Sequence, residues 1–372
     1  MQGGTVRLSD KTERVESTGT PVSDLFSCAA WEIRPPRNAA LRTSLILARG
    51  RQHLHQSGPE IGDTARSPVE SLESPIQAVL TVHFLPMTAP RIIQNPAELD
   101  AMAGGCFVPT MGALHEGHLS LIRAAARSGG PVITSIFVNP TQFAPHEDFD
   151  AYPRPIDRDV KLAGEAGSDA VYLPSESSLY PEGREASVDL AANLPIPEVA
   201  KRPQLEDAGR PHFFGGVCLV VARLLEQVRP SAAVFGEKDW QQLQVIRAMV
   251  AGDARFQGIE VIPGPIVRER DGLAMSSRNA SIPSMHRERA CGLANALDAA
   301  ESAKTPADAE SVMRTTLEAH QLAMEYAVIR DPETLMPVAD LSRPTRAIIA
   351  ARLDFDGGSV RLLDNRAIPI AR

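Results

Sequence analysis

Two short strings in this chain carry groups that could handle a triphosphate. His115-Glu116-Gly117-His118 closes the run Val108-Pro-Thr-Met-Gly-Ala-Leu-His-Glu-Gly-His118. Small residues there let the backbone approach a nucleotide, and two imidazoles can meet its phosphates. Far along the chain, Met275-Ser276-Ser277-Arg278 offers two hydroxyls and a guanidinium, the donor set of a polyphosphate clamp. A helix N-terminus alone would hold a phosphate. Two histidines joined by a remote Ser-Ser-Arg can also stabilise the charge that builds up when the α-phosphorus of ATP is attacked. The pair predicts an ATP site for adenylyl transfer.

The elements that must position these groups alternate between strand and helix. Cys106–Val108 reads as a strand, followed by a glycine turn and a helix over Leu119–Ala126. Pro131–Val138 is a β-branched run between Gly-Gly and Asn-Pro, the pattern of a strand buried on both faces. Ligands of open parallel sheets collect beyond the carboxyl ends of strands, so Asn139-Pro-Thr-Gln142 is a substrate-loop candidate. Ala170–Leu173 reads as another strand, Val217–Val228 as a buried helix, and Ala232–Phe235 as a strand ending at Gly236-Glu-Lys-Asp239. Asp239 is expected to cap a helix over Trp240–Val250. Such alternation predicts an α/β fold, a Rossmann-type doubly wound parallel sheet. Pro-Gly-Pro at 263–265 marks an expected hinge into a smaller α+β lid over 263–372, with helical stretches near 286–301 and 306–320. Glu325–Ile329, Ala347–Ala350 and Val360–Leu363 read as its strands. The Ser-Ser-Arg string falls at the lid entrance, where closure would expel water from a hydrolysable adenylate. The large domain is then 87–262.

Residues 1–86 lack sustained periodicity and are expected to be largely disordered. They contain nine basic and nine acidic residues, so the net charge of −8 belongs to the remainder. Met87 opens a segment that would suit a native N-terminus. The acidic balance argues against wholesale nucleic-acid binding. Anionic substrates must then meet locally placed cations. Cys28, Cys106, Cys218 and Cys291 form no Cys-x-x-Cys pair, which disfavours a zinc ribbon or a secreted disulfide framework and points to a cytoplasmic setting. No apolar run is long enough to span a bilayer.

Four blocks in order closely resemble the pantothenate synthetase (pantoate:β-alanine ligase) family. They are Pro109–His118, Ser135–Phe143, Phe235–Leu243 and Asp271–Asn279, and the likeness runs from about Met87 to the end. The resemblance implies a nucleotidyltransferase-like Rossmann fold related to class I aminoacyl-tRNA synthetases. It implies that Mg-ATP adenylates the carboxylate of (R)-pantoate, releasing pyrophosphate, and that β-alanine then displaces AMP to give pantothenate. By position, Met111, Gly112, Ala113, Leu114, His115, Glu116, Gly117 and His118 line the ATP site with Gly236, Glu237, Lys238 and Asp239. Val267 contacts the nucleotide, and Met275, Ser276, Ser277 and Arg278 close over it. Gln142 and Gln242 hold pantoate, and Gln142 also serves β-alanine. Neutral amides can orient a hydroxy acid without neutralising the carboxylate that must attack. Lys238 supplies a compact cation, His115 and His118 stabilise the five-coordinate phosphorus, and His118 is the foremost catalytic candidate. Mg2+ is expected to bind chiefly through the ATP phosphates, and no protein ligand is assigned to a metal. A homodimer is expected. Where the family often reads Arg-Pro-x-His-Phe-x-Gly-Val, this chain has Arg210-Pro-His-Phe-Phe-Gly-Gly-Val217, so either Phe213 or His212 stands in for the usual histidine.

Blander readings exist for each string. His115-Glu-Gly-His118 could be a helix cap, or two metal ligands lacking further partners. Gly236–Asp239 could merely join strand to helix, and Gln142 and Gln242 could be surface amides. The acidic residues Glu147, Asp148, Asp150, Asp157 and Asp159 read as a solvated loop and helix start. Rival functions are a nucleotidyltransferase acting on a phosphorylated acceptor, a tRNA synthetase, and an inactive scaffold with the same fold.

Overall fold

The computed structural model describes residues 89–143 and 149–370. The expected disordered segment, the Met87 start, and Glu147 and Asp148 lie outside the described residues. Six strands form a parallel sheet: β1 (Arg91–Ile93), β2 (Cys106–Thr110), β3 (Val132–Ile136), β4 (Ala170–Tyr172), β5 (Ala232–Gly236) and β6 (Glu260–Gly264). Their spatial order is β1-β4-β3-β2-β5-β6. From β2 the chain winds toward β4, and from β5 it winds the other way. The reversal between β2 and β5 is a topological switch point, beyond whose carboxyl ends sheets of this kind take their ligands. Between the strands run α1 (Glu116–Arg127), α2 (Ile156–Ala166), α3 (Glu176–Leu179), α4 (Arg184–Asn193), α5 (Glu206–Gly209), α6 (Phe213–Val228) and α7 (Trp240–Gly252). The doubly wound sheet expected from the sequence is borne out.

Strand pleating explains why both faces are covered. Successive residues point to opposite sides, so Phe107 packs with Leu219, Leu225 and Ile246 beneath α6 and α7, while Val108 packs with Leu114, Ile122 and Ala125 beneath α1. Helix α6 lies unusually close to the loop after β3. A Cβ on Gly216 would stand 2.3 Å from the carbonyl oxygen of Thr141, so only glycine permits this approach.

After β6 the chain builds α8 (Arg287–Ala290), α9 (Gly292–Ala300) and α10 (Pro306–Ala319), then an antiparallel sheet of β7 (Ala323–Arg330), β8 (Thr345–Phe355) and β9 (Gly358–Ile368). Its own core gathers Leu293, Leu297, Met313, Leu317 and Ile349. Ile348, on the opposite face of β8, joins the core of the large sheet instead.

Two local expectations need correction. Pro263 and Gly264 are the last residues of β6, paired with Phe235 and Gly236, so the expected hinge begins inside a strand. Because β6 is a sheet edge, a proline is tolerated there. Asp239 does occupy the N-cap position of α7, but its side chain makes no capping hydrogen bond. It turns instead toward Lys238, whose Nζ lies 3.4 Å from Oδ1. Among the described residues, no helix is long and apolar enough to cross a membrane.

Candidate active site

The turn after β2 is held in a conformation that its own residues disfavour. Gly112 and Ala113 both have positive φ, +83° and +50°, and the second is costly for a residue with a Cβ. Asp159, from α2, offsets that cost. Its carboxylate accepts the backbone N–H of Ala113 at 2.6 Å and of Leu114 at 2.8 Å. Thr110 Oγ1 accepts the Gly112 N–H at 3.2 Å and donates to the Ser135 carbonyl at 2.8 Å. Asp159 is fully buried, which corrects its reading as part of a solvated acidic run. Burial raises its pKa, and the two N–H bonds oppose that rise. Its position on the same helical face as buried Ala163 was the available signal.

The turn delivers the histidines to the head of α1. His115 is the N-cap residue: its Nδ1 accepts the Gly117 N–H at 3.2 Å, while His118 Nδ1 faces the His115 N–H at 3.4 Å. The helix-cap reading is therefore correct. With both Nδ1 atoms used as acceptors, each neutral ring carries its proton on Nε2. The rings lie 4.1 Å apart, and a Cβ on Gly117 would come within 2.9 Å of the His115 ring. Desolvation, with the nearby Lys238 charge next, lowers the His115 pKa to about 4. Desolvation, then His115 itself, lowers that of His118 to about 3. Both imidazoles are thus neutral N–H donors at pH 7. Glu116 is exposed, and its carboxylate pairs with Arg123 farther along α1.

The distant string arrives on a hairpin. Arg268 bridges Ala274, Glu269 accepts from Gly272, and Met275 N–H donates to the Val267 carbonyl at 2.9 Å, which ties two expected nucleotide contacts together. Ser277 then donates to the Ala113 carbonyl at 3.4 Å, and a Cβ on Gly117 would lie 3.7 Å from Met275 Cβ. The two strings therefore meet at the head of α1. Ser276 caps the following 3-10 turn by accepting the Arg278 N–H. Arg278 is exposed, with no ion-pair partner among the described residues.

Gly236 to Asp239 lies at the end of β5, on the other side of the switch point. Glu237 N–H bonds the Gly264 carbonyl at 2.8 Å. Lys238 and Asp239 are close enough for their charges to act on both imidazoles. The turn is also gripped from the antiparallel sheet, a contact the sequence reading missed. Asn365 Nδ2 donates to the carbonyls of Glu237 and Lys238, each at 2.8 Å. Arg346 lies 3.7 Å from the Glu237 carboxylate and 3.3 Å above the Trp240 ring.

The amides divide by role. Asn139 is buried and fully engaged: it donates to Gln142 Oε1 at 2.9 Å and accepts from Tyr180 at 2.6 Å and from Thr141. Gln142 Nε2 lies 3.2 Å from Met111 Sδ, so the substrate-loop candidate touches the turn after β2. Gln241 is consumed internally by Glu206, Asp207 and Val199. Its neighbour Gln242 is half-buried with no side-chain partner among the described residues. His212 is exposed at the start of α6 and makes no cap bond, while Phe213 is half-buried beneath the Arg210 guanidinium, 4.1 Å from its ring centroid.

A Rossmann-type sheet with paired imidazoles at its topological switch point, and a Ser-Ser-Arg segment brought onto them, defines a nucleotide-using enzyme of the nucleotidyltransferase-like α/β class. Comparison with known proteins narrows the class. A family model described as pantoate-beta-alanine ligase matches residues 91–367, and the chain belongs to that family. Pantothenate synthetase of Rubrobacter xylanophilus is 48% identical over 271 residues, 70% of this chain and 90% of the relative. That of Nitrobacter winogradskyi is 46% identical over 268 residues, 70% and 89%. The crystal structure of pantothenate synthetase from Thermus thermophilus superposes with a TM-score of 0.67 at 40% identity, covering 74% of this chain and 98% of that one. A pantoate-beta-alanine ligase from Francisella tularensis, complexed with beta-gamma ATP and beta-alanine, gives a TM-score of 0.59 at 30% identity, covering 75% and 97%.

Proposed function

We infer that this chain is a pantoate–β-alanine ligase that forms pantothenate in two steps. A carboxylate oxygen of (R)-pantoate attacks the α-phosphorus of ATP, and the bond to the β-phosphate oxygen breaks, releasing pyrophosphate. The amine of β-alanine then attacks the acyl carbon of pantoyl adenylate, loses a proton, and expels AMP. The observation that carries this reading is the contact of Ser277 with Ala113. It brings the Ser-Ser-Arg segment onto the same helix head as the histidine pair, in a chain whose relatives are pantothenate synthetases.

The residue roles follow from what each group can donate. Neutral His115 and His118 point their chemistry through Nε2–H, which suits a non-bridging oxygen of the α-phosphate as charge develops there. Lys238 contributes the fixed positive charge. Ser276, Ser277 and Arg278 receive the departing pyrophosphate, with Arg278 free of any competing carboxylate among the described residues. Met111 to Leu114, Gly117, Gly236, Glu237, Asp239, Val267 and Met275 line the nucleotide, Glu116 acting through its backbone at the helix head. Gln142 and Gln242 orient pantoate, and Gln142 later meets β-alanine. Mg2+ carried on the ATP phosphates would screen their charge, and no residue of this chain is assigned to hold it. The region 263–372 acts as the lid, and we place the working enzyme in the cytoplasm as a homodimer, a state light scattering would read directly.

Pyrophosphate release from ATP tests the whole reading. It should require pantoate, while pantothenate should appear only when β-alanine is added. Release that ignored pantoate but followed a phosphorylated acceptor would assign the chain to the rival transferase chemistry, and no release with any acceptor would make it an inactive relative.

A further inference from the structure

The two phosphate-handling segments are far apart in the chain, yet one strand of the small sheet holds both. On β9, Asp364 is almost fully buried and takes the Arg268 guanidinium in two bonds, 2.6 and 2.9 Å. Arg268 also donates to the Gly272 carbonyl at 3.0 Å. It thereby braces the hairpin that ends at Met275. The next residue, Asn365, is equally buried and donates to the Glu237 and Lys238 carbonyls, while its own Oδ1 accepts from Arg346.

Adjacent strand residues point to opposite faces, and the packing here agrees. Asp364 stands opposite Ile349, which belongs to the core of the small sheet, and Asn365 stands opposite Ile348, which belongs to the core of the large one. Consecutive residues can therefore reach two different segments without bending the strand. We propose that Asp364 and Asn365 are positioning residues that set the spacing between Lys238 and the Ser276–Arg278 segment across ATP. The inference rests on the ligase reading and adds to it the device that registers the two halves of the clamp. Both are buried with protein partners, so they act through the segments they grip. A carbonyl gripped at Lys238 fixes where its ammonium can reach, and a braced hairpin fixes where the serines begin.

Asn365→Asp is the sharpest variant, because it keeps the shape and the acceptor for Arg346 but removes both donors and sets an anion against two carbonyl oxygens. Pantoate-dependent pyrophosphate release should fall, or its KM for ATP rise, by about tenfold, the effect of losing the two neutral hydrogen bonds that hold the Glu237 and Lys238 carbonyls. Conversion of supplied pantoyl adenylate and β-alanine into pantothenate should stay within about twofold, since no pyrophosphate is handled in that step. Arg268→Lys should give the same split more weakly, as it keeps the charge beside Asp364 and loses the two-pronged grip. Arg366→Ala serves as the control: it lies on the same strand but pairs outward with Asp298 and Glu301, and both half-reactions should match wild type. Equal losses in both half-reactions for Asn365→Asp would show a merely structural role and overturn the proposal, as would unchanged kinetics. The ligase reading fails separately, if wild type releases no pyrophosphate with pantoate. In that event the ATP-induced rise in thermal unfolding temperature still decides the positioning pair, which requires a smaller rise in Asn365→Asp than in wild type.

Discussion

At the scale of single residues, burial keeps two imidazoles neutral at the turn where we propose the nucleotide binds. Their folded-state pKa values, about 4 for His115 and about 3 for His118, lie below the ordinary value near 6.5. In the window between, the unfolded chain binds protons that the folded chain refuses, so stability rises with pH up to about 6.5 and is lost on acidification. From pH 7 to pH 5, wild type should lose about 1–2 kcal/mol more unfolding free energy than His118→Asn, as measured by denaturant titration. Equal losses would mean that the His118 ring is already protonated or solvated. The same ring carries the principal catalytic prediction. His118→Ala should slow pantoate-dependent pyrophosphate release by about two to four orders of magnitude, the range for a lost donor at a developing charge. Near-wild-type turnover in that variant would remove the histidine from the mechanism.

At the scale of elements, the Gly112–Ala113 turn is strained and its brace comes from elsewhere in the chain. Asp159→Ala would leave the Ala113 and Leu114 N–H groups without their acceptor and release a turn held at positive φ. We expect a loss of about 2–4 kcal/mol in stability, from two unsatisfied donors at a part-buried site. A weakened nucleotide-induced thermal shift should accompany it, and an unchanged shift would separate Asp159 from the site. This brace also shows what could be read from sequence and what could not. Strands β2, β3 and β5 and helix α6 were legible because burial demands runs of apolar and β-branched residues without charges at the buried positions. The four motif blocks were legible because small, polar and basic residues interrupt those runs at strand ends. Asp159 was not, because a carboxylate in a helical first turn reads equally well as solvent-facing dipole compensation. Asn365 and Asp364 were hidden for a similar reason: within an alternating strand, polar residues look like a solvent face until a second layer is seen against it. The unused capping role of Asp239 reflects competition, since the neighbouring ammonium offers its carboxylate a charged partner.

At the scale of the whole molecule, the small sheet must be seated on the large one firmly enough for its β9 residues to register the site. A buried acid links the two layers. Glu206, at the start of α5, accepts both guanidinium nitrogens of Arg361 from β9, at 2.8 and 2.6 Å, and the Tyr326 hydroxyl from β7 at 2.6 Å, while its backbone N–H donates to Gln241 on α7. Burial, with the neighbouring carboxylate charge next, holds the Tyr326 hydroxyl protonated, well above its ordinary range. A pair of this kind contributes little net stability when intact, because desolvation offsets its attraction, yet removing one partner strands a charge. Arg361→Met should therefore cost about 3–5 kcal/mol in urea unfolding, whereas the double variant Glu206→Gln/Arg361→Met should recover at least about half of that loss. The single variant should also slow the first half-reaction, because β9 loses its seat beside Lys238, and the double variant should restore it in step with stability. A double variant no more stable than Arg361→Met would show that the sheets are held by their apolar contacts through Ile348 and Leu335, with the ion pair a passenger in that interface.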